Sequence, residues 1–219
     1  MNHEAKETDR KKEVKLTGVP SALKALEKLK HINLAVVYVQ LEVGAQLAEK
    51  YGVDAADFYI TPQWWDQNVG HSGTFEEMAK LFDKHYRTFV EAQLKQALGT
   101  EVTVGAVAEE SVRESDETEQ TESNRQEKSD EEVYDLQSNK SYELLAGLSA
   151  SLAEAEENAI RFAEIVGYDN VEPDDDESFL TDLLEYIAKK YHLQLDSGEL
   201  QAIFDHLKTI TNSADSDDV

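Results

Sequence analysis

The sequence predicts an all-α protein: two small helical units of about three helices each, joined by an acidic disordered linker. Three observations predict it. Apolar residues recur at intervals of three and four on both sides of a long polar stretch, the period of one face of a helix. With 40% hydrophobic residues the chain can build a core. Between the periodic stretches, Glu109–Ser138 has Val112, Val133, Tyr134 and Leu136 as its only aliphatic or aromatic residues, too little apolar surface to offset the entropy of an ordered chain. The expected division is a disordered charged N-terminus (1–16), an N-terminal helical domain (17–104), the linker (105–138), a C-terminal helical domain (139–211) and a disordered tail (212–219). Whether the two halves touch is left to the structure.

Pro20 suits the first turn of a helix, where its missing N–H costs nothing. Ala25, Leu29, Ile32, Val36, Val39 and Val43 then step by four and three as one stripe, and Gly52 is the stop signal. Ala35, Val37, Val39, Leu41 and Val43 also alternate by twos, so a strand competes over 32–43; the helix formers on both flanks favour the helix. Asp54–Gln67, which contains Pro62, reads as a short helix or an irregular segment. Thr74–Leu98 reads as a long helix with Thr74 as its cap and Glu77 at the capping-box position. Phe75, Met78, Phe82, Phe89 and Val90 are its expected buried face.

In the second half, Leu145, Leu148, Leu152, Ala155, Ala159, Phe162 and Val166 form an unbroken coiled-coil-like seam that ends at Gly167. A helix from about Ser178 to Tyr191 is expected to bury Phe179, Leu180, Leu183, Leu184 and Ile187. A last one, after Asp196 or Ser197, places Leu200, Ile203, Phe204, Leu207 and Ile210 inside. Ala48–Asp54 and Ala163–Asp169 echo each other, but a helix that stops at Gly and restarts at Asp is common punctuation and needs no duplication.

The chain carries 21 Lys and Arg against 46 Asp and Glu, a net charge of −25, and no cysteine. Disulfides and thiolate zinc sites are therefore excluded. Met1–Lys15 is charged throughout, without the apolar core of a signal peptide. The longest uncharged apolar run, His31–Leu41, falls short of the about 20 residues a membrane span needs. The expectation is a soluble, cytoplasmic, acidic protein. Its charge is uneven along the chain. Residues 1–30 carry eight Lys/Arg against five Asp/Glu, and residues 31–108 five against ten. Residues 109–138 carry three against twelve, and residues 139–219 five against nineteen.

Asp174, Asp176, Ser178, Asp182 and Glu185 occupy ligand positions of a twelve-residue calcium loop. Phe179, however, stands where that loop turns on Gly, and the apolar spacing runs straight through as a helix. An acidic helix start is the better account. His85, beside Asp83 and Tyr86, reads as a satisfied, partly buried histidine, and His71, His192 and His206 lack ligand spacing. His71-Ser72-Gly73-Thr74 reads as a polar turn. No glycine-rich phosphate loop and no Glu-x-x-His pair is present in the sequence. The basic arm Lys6, Arg10, Lys11, Lys12 and Lys15 is interleaved with acids, so direct nucleic-acid binding is not expected.

The candidate interaction surface comprises Trp64 and Trp65, the chain's two tryptophans, with Glu172, Asp174, Asp175, Asp176, Glu177, Asp182 and Glu185. Tryptophan is over-represented in binding hot spots, and clustered carboxylates attract basic partners. The expected function is non-enzymatic: an acidic helical adaptor, regulator or assembly factor, without catalytic residues, metal or cofactor. Its expected partner is a protein, basic in character, and the Leu145–Val166 seam offers a route to homo-oligomers. Two alternatives stand beside it: a nucleic-acid mimic that occupies the basic groove of a DNA- or RNA-binding protein, and a helical metal-dependent enzyme.

Overall fold

The computed structural model describes residues 14–16, 19–100, 102–105, 130–169 and 176–214, with side chains for 19–100, 102–105, 140–169 and 178–210. Among these residues the order is β1 (Val14–Leu16), α1 (Ala22–Leu29), α2 (Ile32–Tyr51), a 3-10 turn (Ala55–Phe58), α3 (Pro62–Asn68), α4 (Phe75–Leu98), β2 (Val102–Val104), α5 (Asp130–Ala153), α6 (Glu156–Val166), α7 (Asp176–Lys190) and α8 (Ser197–Ala214). The fold is mostly helical, as the periodicity predicts. Its one departure is a short parallel pairing of β1 with β2, Val14 opposite Val102 and Leu16 opposite Val104. β1 thus falls inside the N-terminus expected to be disordered, where Val-Lys-Leu has the alternation of a strand. The expected linker, 105–138, lies outside the described residues over 106–129. Its last nine residues open α5.

The stripe from Ala25 to Val43 is carried by two helices, not one. α1 stops at Lys30, whose backbone is left-handed (φ 58°, ψ 16°), and α2 starts after His31, which is extended. No Gly or Pro marks this break, and both helices turn the same apolar positions inward, so the pattern crosses it undisturbed. Residues 32–43 are helix. Their strand-like alternation arises because α2 is buried on all sides, with Leu34, Ala35, Val36, Val37, Val39, Gln40 and Leu41 all inside. Gly44 permits a close approach. A Cβ there would sit 3.0 Å from the Ala55 carbonyl oxygen and 3.1 Å from the Tyr59 ring.

α4 starts as the sequence predicts. Thr74 Oγ1 accepts from Glu77 N (3.2 Å) while Thr74 N donates to Glu77 Oε2 (2.8 Å). Those bonds hold the Glu77 carboxyl below its usual pKa. Met78, Phe82 and Val90 are buried and Phe89 half-buried. Phe75 is the exception, 55% exposed. As the first helical residue it leans back beyond the helix start, past the packed turns of α4.

The expected seam is likewise split. Ala155 is extended (φ −158°, ψ 136°), so α5 and α6 are separate helices that pack on each other. Asn158 closes the turn by donating to the Ser151 carbonyl (3.1 Å). Leu145, Leu148, Leu152, Ala159, Phe162 and Val166 are buried within the chain's own core, while Ala155 is exposed. α7 and α8 bury the expected residues, except that Leu200 and Ile210 are half-buried.

The two halves share one hydrophobic core, which runs from Ala22 to Leu207. α2 touches α5, and α1 touches α6. Polar contacts cross between the halves as well: Tyr191 OH donates to Glu42 Oε1 (2.6 Å), Lys140 Nζ donates to the Ala56 carbonyl (3.4 Å), and His31 Nε2 meets Glu154 Oε2 (3.0 Å). Among the described residues, no helix is long and apolar enough to cross a membrane.

Candidate functional site

Trp64 and Trp65 ride on α3, a seven-residue helix with no buried residue of its own. Pro62 fits its first position and Thr61 Oγ1 caps it by accepting from Trp64 N (3.2 Å). The indoles roof an aromatic stack on α4. Trp64 stands edge-on to Phe82 (6.1 Å), Tyr86 (6.5 Å) and Phe89 (5.6 Å), and Trp65 tilts over Phe82 (6.2 Å). Both rings are half-buried, held by edge-to-face contacts with the rings beneath. Under them, Phe82 and Tyr86 stack at 4.6 Å, and Tyr86 OH donates to the Phe58 carbonyl (2.8 Å).

The acidic part of the expected surface divides. Glu172, Asp174 and Asp175 lie outside the described residues. Asp176 and Glu177 open α7, and only their helical backbone is described. Asp182 and Glu185 are exposed and meet in a groove of about 420 Å³ between α7 and α8, lined also by Ser178, Thr181, Gln201, Phe204 and Lys208. Phe204 lines the groove with 8% of its surface exposed. α7 fills the twelve-residue frame from its third position onward, so that stretch is helix and not a calcium loop. The structure therefore joins Asp182 with Glu185 and Trp64 with Trp65, on different helices.

Two further features escape sequence reasoning. A groove of about 410 Å³ lies between α1 and the start of α4, lined by Leu23, Leu26, Glu27, Lys30, Phe75, Glu76 and Lys80. It exists because α1 ends at Lys30, the break that no residue pattern marks. The second is Lys140, half-buried at the junction of the halves. Burial pulls its pKa below the usual lysine value, and Asp57 and Asp54 partly oppose that shift. Nothing in a lone lysine at the edge of an acidic stretch signals this setting.

The histidines stay apart. His71 pairs with Asp66 on the surface (2.9 Å), and His85 is half-buried on α4. Among the described residues, no group of three or more His, Asp or Glu side chains is placed to hold a metal ion. No known protein family, no curated protein and no solved structure matches this chain.

Proposed function

We propose that the protein is a non-enzymatic, acidic helical interaction protein, an adaptor, regulator or assembly factor, which engages a basic protein partner through its α7–α8 face. One observation carries this reading. Asp182 and Glu185 stand exposed one helical turn apart in a groove that Phe204 and Lys208 also line. A Lys or Arg entering there meets carboxylates and an aromatic ring, a charge-assisted and cation–π setting. The surrounding half of the chain, with nineteen Asp/Glu against five Lys/Arg, steers such a partner from a distance. In this reading the two helical units form one scaffold on which the groove is held, and the setting is cytoplasmic.

The test is capture of partners from a native-host lysate by the full chain at low and moderate salt, beside the Asp182→Asn/Glu185→Gln variant. A basic protein is expected to bind the parent chain, to elute as salt rises, and to bind the variant about tenfold more weakly. If the basic protein captured is a nucleic-acid-binding one, the adaptor reading narrows to a mimic of phosphate backbones. A partner indifferent to both salt and the two substitutions would sink the acidic-face reading.

A further inference from the structure

Asp54, Thr61, Thr74 and Asp196 each cap the turn or helix that follows with a side-chain oxygen. α2 is capped differently. His31 Nδ1 accepts from Leu34 N (3.4 Å), while Nε2 of the same ring meets Glu154 Oε2 (3.0 Å) in the α5–α6 turn of the other half. A backbone N–H can only donate and an ionised carboxylate can only accept. Both bonds therefore form at once in one state of the ring, the neutral tautomer with its hydrogen on Nε2. The site is half-buried, with 20% of the His31 side chain exposed. It directly follows Lys30, whose backbone is left-handed without being glycine (φ 58°). One ring thus sets the start of α2, its joint with α1 and a bridge between the halves.

We propose that His31 is a proton-operated joint: neutral, it caps α2 and holds Glu154; protonated, it releases the first turn of α2 and holds Glu154 alone. Imidazole takes up its second proton within the range of about pH 8 to 5, and the nitrogen that receives it here is Nδ1. That nitrogen then carries an N–H facing the Leu34 N–H, donor against donor, and the cap is lost. The new charge also stands at the positive end of the α2 dipole. At Nε2 the same proton acts in the opposite sense, since a cationic donor binds a carboxylate more strongly. Glu154 is 66% exposed, so water and salt screen that gain. The elements that meet here carry Glu27, Lys28 and Lys30 at the end of α1 and Glu156, Glu157 and Arg161 at the start of α6. These are three of each sign, with Arg161 engaged by Glu157 (2.7 Å), and Glu154 is the charge that the ring meets directly.

The inference is independent of the partner reading, whose groove lies between α7 and α8. Nitrogen-15 NMR of the full chain tests it, with the ring and the amide protection factors followed from pH about 8 to about 5.5. At the upper end His31 is expected to carry its hydrogen on Nε2. As the ring gains its second proton, protection of the Leu34 amide is expected to fall about fivefold or more, in step with the ring's own titration. Leu184 and Ile187, buried in α7, are expected to keep theirs. His31→Asn keeps a capping acceptor that does not titrate, so its Leu34 amide is expected to stay protected at both ends of the range. Glu154→Gln keeps an acceptor for Nε2–H but removes the charge that favours the imidazolium, so the loss of Leu34 protection is expected to move to lower pH. A neutral ring with its hydrogen on Nδ1 overturns the proposal, and so does Leu34 protection that ignores the ring's proton. The same pH response in His31→Asn would assign it to another group, which overturns the proposal as well.

Discussion

Tyr59 and Tyr86 are each 1% exposed, and their surroundings treat the two hydroxyls in opposite ways. Tyr86 OH donates to the Phe58 carbonyl (2.8 Å), whereas Tyr59 OH has no hydrogen-bond partner among the described residues. Tyr86→Phe leaves a buried carbonyl unpaired, and a loss of about 1–3 kcal/mol is expected. Tyr59→Phe removes a polar atom that already lacks a partner, so its stability is expected to match or exceed the parent's. Urea midpoints at equal slope measure both, and an equal loss from the two substitutions would contradict this account. At this scale the sequence speaks for burial but not for partners. The aromatic concentration Tyr59, Trp64 and Trp65 is visible in the letters, as is the buried face of α4. What the rings touch depends on residues more than a dozen positions away. Phe75 shows the same gap from the other side: its spacing puts it on the apolar face of α4, but its place at the helix end leaves it in water.

Helix ends separate what is legible from what is not. The Thr74–Glu77 box is local and can be read directly, and the Asp196–Glu199 pair at the start of α8 is bonded in the same way, at 3.0 and 2.8 Å. The start of α1 is capped from sixty residues away. Ser21 makes no side-chain cap bond to its own helix and α1 has no acid in its first turn; the Asp83 carboxylate, reaching over from α4, supplies the acceptor and the negative charge at the positive end of the helix dipole. Asp83→Ala is expected to cost about 2 kcal/mol. Amide exchange in α1 should accelerate more than that in α7 or α8, and uniform acceleration would argue against a local cap. The breaks at Lys30 and Ala155 are hidden for a related reason. Each separates two helices that bury the same face, so the apolar spacing runs on through the turn. A coiled-coil-like seam and a pair of helices folded on each other then look alike in sequence.

For the whole molecule, pH is the informative variable. Burial pushes the pKa values of Tyr59, Tyr86 and Tyr191 upward, with Glu42 adding to the shift at Tyr191. A raised tyrosine pKa favours the fold fully below the unfolded value of about 10, and that advantage is lost as pH rises beyond it, by up to about 1.4 kcal/mol per pH unit for each group. Lys140 acts in the opposite sense. Its lowered pKa makes its charge a cost at neutral pH, relieved as pH climbs toward the usual lysine value. These tyrosines, with Tyr38 raised likewise by burial and Glu42, outweigh one lysine, so a steep loss of stability is expected above pH about 10, with tyrosinate absorbance rising in step with loss of circular dichroism. Tyrosines that ionise while the helical signal persists would contradict it. Both halves should melt together, because α2 lies in the core they share and Tyr191 and Lys140 of one half bond to Glu42 and Ala56 of the other. The backbone between residues 106 and 129 is then not what keeps the halves together. Severed there, the two pieces would behave as complementing fragments, each the other's ligand, and would copurify and unfold as one until diluted below their mutual dissociation constant.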